Sequence, residues 1–166
     1  MTVENEKLLD DTGWSLLQEL QQHARLSYKE LGRRVGLSLP AVAERIRRME
    51  EAGIITGYHA EVNLGKLGMP VLAIIHLQGI GGQSCRSVVS QVWEIPEVLE
   101  CARVTGSDSI VVTVVALSLD HLARVIDHLS LYGIPATSIV RARPMKRYTT
   151  PHEILERGAS DESVSL

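Results

Sequence analysis

Through the first fifty residues the apolar positions fall at three- and four-residue intervals, the period of helices that bury one face. Leu16, Leu17 and Leu20 predict an opening helix from near Thr12 to His23. A second begins at Ser27, which with Glu30 matches a capping box; Leu31 and Val35 supply its buried side, and Gly36 suits the left-handed position that stops a helix. Leu37 fills the corner, and Ser38 caps a third helix that tolerates Pro40 in its first turn. Val42, Ile46 and Met49 form the apolar stripe of that helix, and Gly53 ends it. The same period sets Ala41, Glu44, Arg45 and Arg48 on the opposite face. Two short helices joined by a tight turn and braced by a third are the layout of a helix-turn-helix, whose second helix enters the DNA major groove.

After Gly53 the pattern changes. IITGYHAEVN is rich in β-branched and aromatic residues and reads as an extended connection, and LGKLGMP, with Gly65, Gly68 and Pro70, breaks periodicity. Val71–Leu77 is then a strand, GIGGQS a loop, and Ser84–Glu94 a helix buried through Val88, Val89 and Val92. Val98–Thr105 and Ile110–Ala116 are strands joined by the turn Gly106-Ser107-Asp108-Ser109. Ser118–Leu131 is a helix with Leu122, Val125, Ile126 and Leu129 on one side, and Thr137–Ala142 a fourth strand. The order β-α-β-β-α-β is the ferredoxin-like split unit, with helices on one sheet face only. No further helix remains for the other face, so pairing of two such sheets across a twofold axis is the economical solution. The expected class is α+β. Residues 1–53 read as a helix-turn-helix domain, 54–69 as an extended linker, 70–151 as a ferredoxin-like domain, and 152–166 as a polar acidic tail.

Charge sharpens the first domain's reading. Many helical hairpins carry a solvated charged face, but Arg25, Lys29, Arg33, Arg34, Arg45, Arg47 and Arg48 crowd one stretch, opposed there only by Glu30 and Glu44, in a chain of formal net charge −3. A basic patch on a mildly acidic protein is the footprint of phosphate contacts. Arg45 and Arg48, with Ala41 and Glu44, are the base-edge candidates, since arginine pairs bidentately with guanine. Ser27, Lys29, Ser38 and Arg47 are better placed for phosphates; Arg47 could equally pair with Glu51 one turn on. Sparse aromatics, with no phenylalanine, disfavour single-strand or RNA binding.

Other chemistry is thin. Cys85 and Cys101 do not make a disulfide framework, and the six histidines lack metal-ligand spacing, so no metal and no cofactor are expected. No nucleophile-and-base spacing appears, and Gly79, Gly81 and Gly82 lack the full dinucleotide fingerprint. The apolar runs are too short to cross a bilayer, and MTVENEKLLDD has no signal core; the expectation is a cytoplasmic protein with no membrane partner.

LDDTGWSLLQELQQHARLSYKELGRRVGLS, AVAERIRRMEEAGIITGYHAEVN, the β-α-β-β-α-β order after Gly68 and the turn TGSDS together resemble the Lrp/AsnC family, the feast/famine regulators. The likeness runs from about Leu8 to Pro151. It implies a regulator on double-stranded DNA whose residues 1–53 are a winged-type helix-turn-helix and whose ferredoxin-like residues 70–151 bind an amino-acid effector and oligomerise, in dimers that assemble further, often to octamers. It departs at Gly13, where the family usually has an acidic residue, so the first helix must be capped from Asp10, Asp11 or Thr12. The turn Thr105-Gly106-Ser107-Asp108 has two readings. It is a plain hairpin turn, for which Gly and Asp are favoured conformationally, or an effector site. In the second, Gly106 lets backbone N–H groups approach an α-carboxylate and Asp108 accepts from the α-ammonium. The resemblance supports the second and adds Thr137 and Ser138 on the last strand. Rival classes are a tetrapyrrole enzyme like the sirohaem decarboxylases, which resemble the family, and an architectural DNA-packaging protein. The basic recognition helix argues against the enzyme.

Overall fold

The computed structural model describes residues 7–79, 84–106, 109–142 and 149. The chain divides into two compact units, the first on the residues up to Ala60 and the second from Glu61 to Pro144.

The first unit is built on the helices α1 (Asp11–Gln22), α2 (Tyr28–Val35) and α3 (Leu39–Glu51). Each starts on a side chain that accepts from an otherwise unpaired backbone N–H. Asp10 takes Gly13 N–H, Ser27 takes Glu30 N–H, and Ser38 takes Ala41 N–H. Gly36 ends α2 in the left-handed region at φ 73°, where a side chain would be strained. Leu16 and Leu20 of α1, Leu31 of α2, and Val42 and Ile46 of α3 form one buried cluster, with Leu37 in the corner. The capping box is half formed. Ser27 Oγ accepts as expected, but the Glu30 carboxylate turns to Arg33 and Arg34, because two guanidinium groups outbid one backbone amide. Ile54–Asn63 carries neither helix nor strand.

The second unit contains β1 (Val71–Gln78), α4 (Cys85–Trp93), β2 (Val98–Arg103), β3 (Ile110–Ala116), α5 (Leu119–Leu129) and β4 (Ile134–Ile139). The sheet order is β2-β3-β1-β4, antiparallel throughout, the ferredoxin-like arrangement. Ala73, Ile75 and Leu77 of β1 and Ile110, Val112 and Val114 of β3 pack against Val88, Val92, Leu122, Val125 and Leu129 of the helices. The alternate residues face the other way. Register places Leu72, Ile74 and His76 beside Val115, Thr113 and Val111, with Ser138 and Ala136 on the far side, on the face opposite α4 and α5.

The fourth strand differs from expectation. It spans Ile134–Ile139 rather than Thr137–Ala142, and Val140 N–H extends the pairing to Leu72 O at 2.8 Å. Gly133 and Pro135 read as turn residues in sequence. Instead Gly133 admits a close pass of the Gln78 carbonyl, where a Cβ would lie at 2.8 Å, and Pro135 sits on an edge strand, where proline is tolerated. Cys85 and Cys101 are free thiols. Gly81, Gly82 and the tail 152–166 lie outside the described residues.

Candidate nucleic-acid interface and ligand region

Burial of Val42, Ile46 and Met49 orients α3, leaving Glu44, Arg47 and Arg48 exposed and Ala41 half-buried. Arg47 donates through Nε and Nη2 to Glu44 at 3.0 and 2.7 Å, and through Nη1 to Glu51. The helical pairing with Glu51 is therefore present. Arg47 keeps the Glu44 carboxyl below its usual range, so Glu44 is an ionised acceptor on the outer face. Ser27 and Ser38 stand exposed at the N-termini of α2 and α3. Their oxygens accept from the helix while their O–H groups remain able to donate, a geometry suited to phosphate. Lys29 and Arg25 are exposed and have no acidic partner among the described residues.

Arg45 stands elsewhere than the face expected for it. It lies three residues after Val42 and four before Met49, on the shoulder of the buried stripe, and its side chain is only 27% exposed. Its Nη1 and Nη2 donate to Asp10 Oδ1 and Oδ2 at 2.6 and 2.7 Å, a two-pronged pair across 35 residues. That hydrogen bond is the main reason the Asp10 carboxyl stays below its usual range. Arg33 and Arg34 are also occupied. Glu30 accepts from both, and Glu19 on α1 takes Arg34 Nη1 at 2.6 Å. The Arg33 guanidinium first, then Arg34, holds the Glu30 carboxyl down to about 2. Asp10, Glu19 and Glu51 all lie outside the sequence window that defined the basic patch, so the patch is less positive than that window suggests. No local signal marks Asp10 or Glu19 as partners, because their arginines come from other helices.

In the second unit, Thr105 and Gly106 are exposed at the end of β2, and Gly106 has φ 119°, a conformation that favours glycine. Val104 N–H donates to Ser109 O at 3.3 Å and Ser109 N–H to Leu77 O at 3.0 Å, anchoring the turn to the sheet. Ser107 and Asp108 lie outside the described residues. Thr137 pairs with Ile75 and Ser138 with Ile74, so the two point to opposite faces. β1 separates their strand from β3, about 10 Å at two interstrand spacings. Sequence reading also missed a side-chain hydrogen bond between separate elements. Leu117 N–H donates to His121 Nδ1 at 3.3 Å, leaving Nε2 to meet Glu97 Oε1 at 2.9 Å beside a small cleft lined by Met69, Pro96 and Val115. Among the described residues no cluster of three or more His, Cys, Asp or Glu could hold a metal.

A three-helix unit presenting a charged recognition helix, followed by a ferredoxin-like module, defines a DNA-binding protein with a separate regulatory domain. Comparison with known proteins agrees. Residues 9–56 match the winged helix-turn-helix DNA-binding model and residues 71–148 the Lrp/AsnC ligand binding domain model. The HTH-type transcriptional regulator YezC of Bacillus subtilis is 39% identical over 132 residues, 80% of this chain and 93% of that protein. The proline dehydrogenase transcriptional activator of Rhodobacter capsulatus is 38% identical over 162 residues, 96% of this chain and 98% of that one. Among solved structures, a Neisseria meningitidis transcriptional regulator in complex with L-methionine superposes with TM-score 0.80 at 26% identity, covering 89% of this chain and 99% of that one. The chain belongs to the Lrp/AsnC family of transcriptional regulators.

Proposed function

We propose that this protein regulates transcription by reading operator DNA with the outer face of α3, as a dimer that assembles further, up to an octamer, under the control of a bound amino acid. The observation that carries this reading is the α2–α3 hairpin: a buried stripe directs Arg48, Glu44 and Ala41 outward beside the exposed caps Ser27 and Ser38. In this reading Arg48 meets guanine, Glu44 accepts from cytosine N4, and Ala41 packs on a thymine methyl group. Ser27, Lys29, Ser38 and Arg47 contact phosphates. The functional division is 1–53 for DNA, 54–69 for linkage, 70–151 for effector and assembly, and 152–166 as the tail.

Effector control rests on the L-methionine complex of the Neisseria relative and on the exposed turn at Thr105-Gly106. Gly106, Ser107 and Asp108 receive the amino acid's carboxylate and ammonium groups. Ser138, on the open face, joins from a neighbouring copy; Thr137, on the helix face, plays no direct part. The protein works in the cytoplasm by binding rather than catalysis, and no described helix is long and apolar enough to cross a membrane. Arg48→Ala tests the DNA half: operator binding should weaken by about 1–3 kcal/mol relative to random duplex. An unchanged ratio would overturn the assignment. A thermal-shift screen beginning with L-methionine tests the other half, since ligand at about 100 times its Kd adds roughly 2.7 kcal/mol of stability. A Soret band on incubation with a tetrapyrrole would contradict the non-enzymatic reading.

A further inference from the structure

Arg45 lies on the recognition helix, yet its guanidinium is turned away from the outer face and held by Asp10. Asp10 is a shared hinge point. One carboxylate oxygen caps α1 through Gly13 N–H at 2.7 Å, and the same oxygen and its neighbour grip Arg45. The first helix start and the middle of α3 are thereby tied through a single side chain. An apolar contact lies at the same junction. A Cβ added to Gly13 would fall 2.0 Å from Leu8 O and 3.2 Å from Met49 Cε, so the start of α1 passes close to the C-terminal part of α3 with no room for a side chain. Apolar packing of Val42, Ile46 and Met49 fixes which face of α3 is buried and the distance between these helices. A two-pronged guanidinium–carboxylate pair has fixed planar geometry and adds a directional contact that trims the rotation within that packed arrangement.

We propose that Asp10 is the positioning residue of the recognition helix: through Arg45 it sets the rotation at which α3 offers Arg48 and Glu44 to DNA, and Arg45 itself contacts neither base nor phosphate. This rests on the reading that α3 is the DNA-contacting helix; Arg48→Ala tests that reading separately.

The test is fluorescence anisotropy with the full chain, on a selected operator and on random duplex, for Asp10→Asn, Arg45→Ala and the double variant. Asn at position 10 keeps an oxygen for the Gly13 N–H, so the cap survives, and it removes a negative charge, which by electrostatics alone strengthens binding to a polyanion. The expected result has the opposite sign. Asp10→Asn weakens operator binding about tenfold, Arg45→Ala does the same, and the double variant is no weaker than either single. Non-additivity of this kind marks two residues acting as one unit. The slope of log affinity against log salt stays at the wild-type value in all three. Operator binding by Asp10→Asn that equals or exceeds wild type overturns the proposal, because Arg45 would then be a DNA contact that Asp10 merely restrains. A slope shallower by about 0.9 in Arg45→Ala overturns it too, since that is the loss of one phosphate contact. Stoichiometric titration gives the active fraction of each variant; a defect that vanishes after that correction reduces the pair to a fold-stabilising role and also overturns it.

Discussion

Glu30 illustrates how much of this protein's charge chemistry is settled side chain by side chain. Its carboxylate accepts from Arg33 Nη2 at 2.8 Å and Arg34 Nε at 3.0 Å, which lowers its pKa to about 2 from an ordinary value near 4.3. A carboxyl depressed on folding stabilises the native state above its unfolded pKa, and that share is lost as pH falls through the folded value. The Glu30 contribution is therefore present above about pH 4.3 and disappears towards pH 2. NMR titration of the Glu30 side-chain carbonyl should show a midpoint near 2, moving up towards about 4.3 when Arg33 and Arg34 are both replaced by alanine. A midpoint that stayed in place would show that neither guanidinium is responsible. At the same scale, Gly106 at φ 119° tolerates no side chain without strain, so Gly106→Ala should lower stability by about 1–3 kcal/mol in urea unfolding. A loss below about 0.5 kcal/mol would mean the turn relaxes freely.

At the scale of elements, α1, α2 and α3 depend on one another. None is long enough to persist alone in water; their stability comes from the cluster of Leu16, Leu20, Leu31, Val42 and Ile46. Ile46 is 1% exposed at the centre of that cluster. Ile46→Ala should cost about 2–5 kcal/mol by urea denaturation and abolish DNA binding at temperatures where wild type is folded. A variant of near wild-type stability would mean the cluster can collapse around the gap. Conversely, Glu51→Ala removes an exposed partner of Arg47 and should change stability by less than about 1 kcal/mol, because Glu44 still holds the guanidinium and exposed pairs contribute little.

For the whole molecule the open face of the sheet matters most. Leu72, Ile74 and Val111 lie there only partly buried, with no described helix over them, the partner expected being the same face of a second copy. Ile74 stands between Thr113 and Ser138 near the middle of that face. Ile74→Glu should raise the dimer dissociation constant at least tenfold, about 1.4 kcal/mol, in sedimentation velocity, and reduce operator affinity with it. A variant that remained as tightly dimeric would place the interface elsewhere.

Much of this was legible from the amino-acid order because the signals are local. Ser27, Ser38 and Gly36 act within three or four residues of themselves, and the helical period of Val42, Ile46 and Met49 needs no partner to be recognised. The strand order after Gly68 follows from alternating patterns and short connections, and with it the β-α-β-β-α-β fold. Features that depend on distant pairing were hidden. Arg45 reads as a reader of DNA when only α3 is considered, and its engagement with Asp10 arises because α1 delivers a carboxylate across 35 residues. The fourth strand reads as starting at Thr137, since Gly133 and Pro135 are turn residues by propensity; pairing of Ile134 with Gln78 on an open edge overrides that preference. Thr137 and Ser138 look equivalent in sequence, but the register sends one to each face of the sheet. Local preference determined which elements form, and the tertiary structure decided which charges pair with each other and which side chains share a face, because ion pairing and register depend on neighbours that only folding brings together.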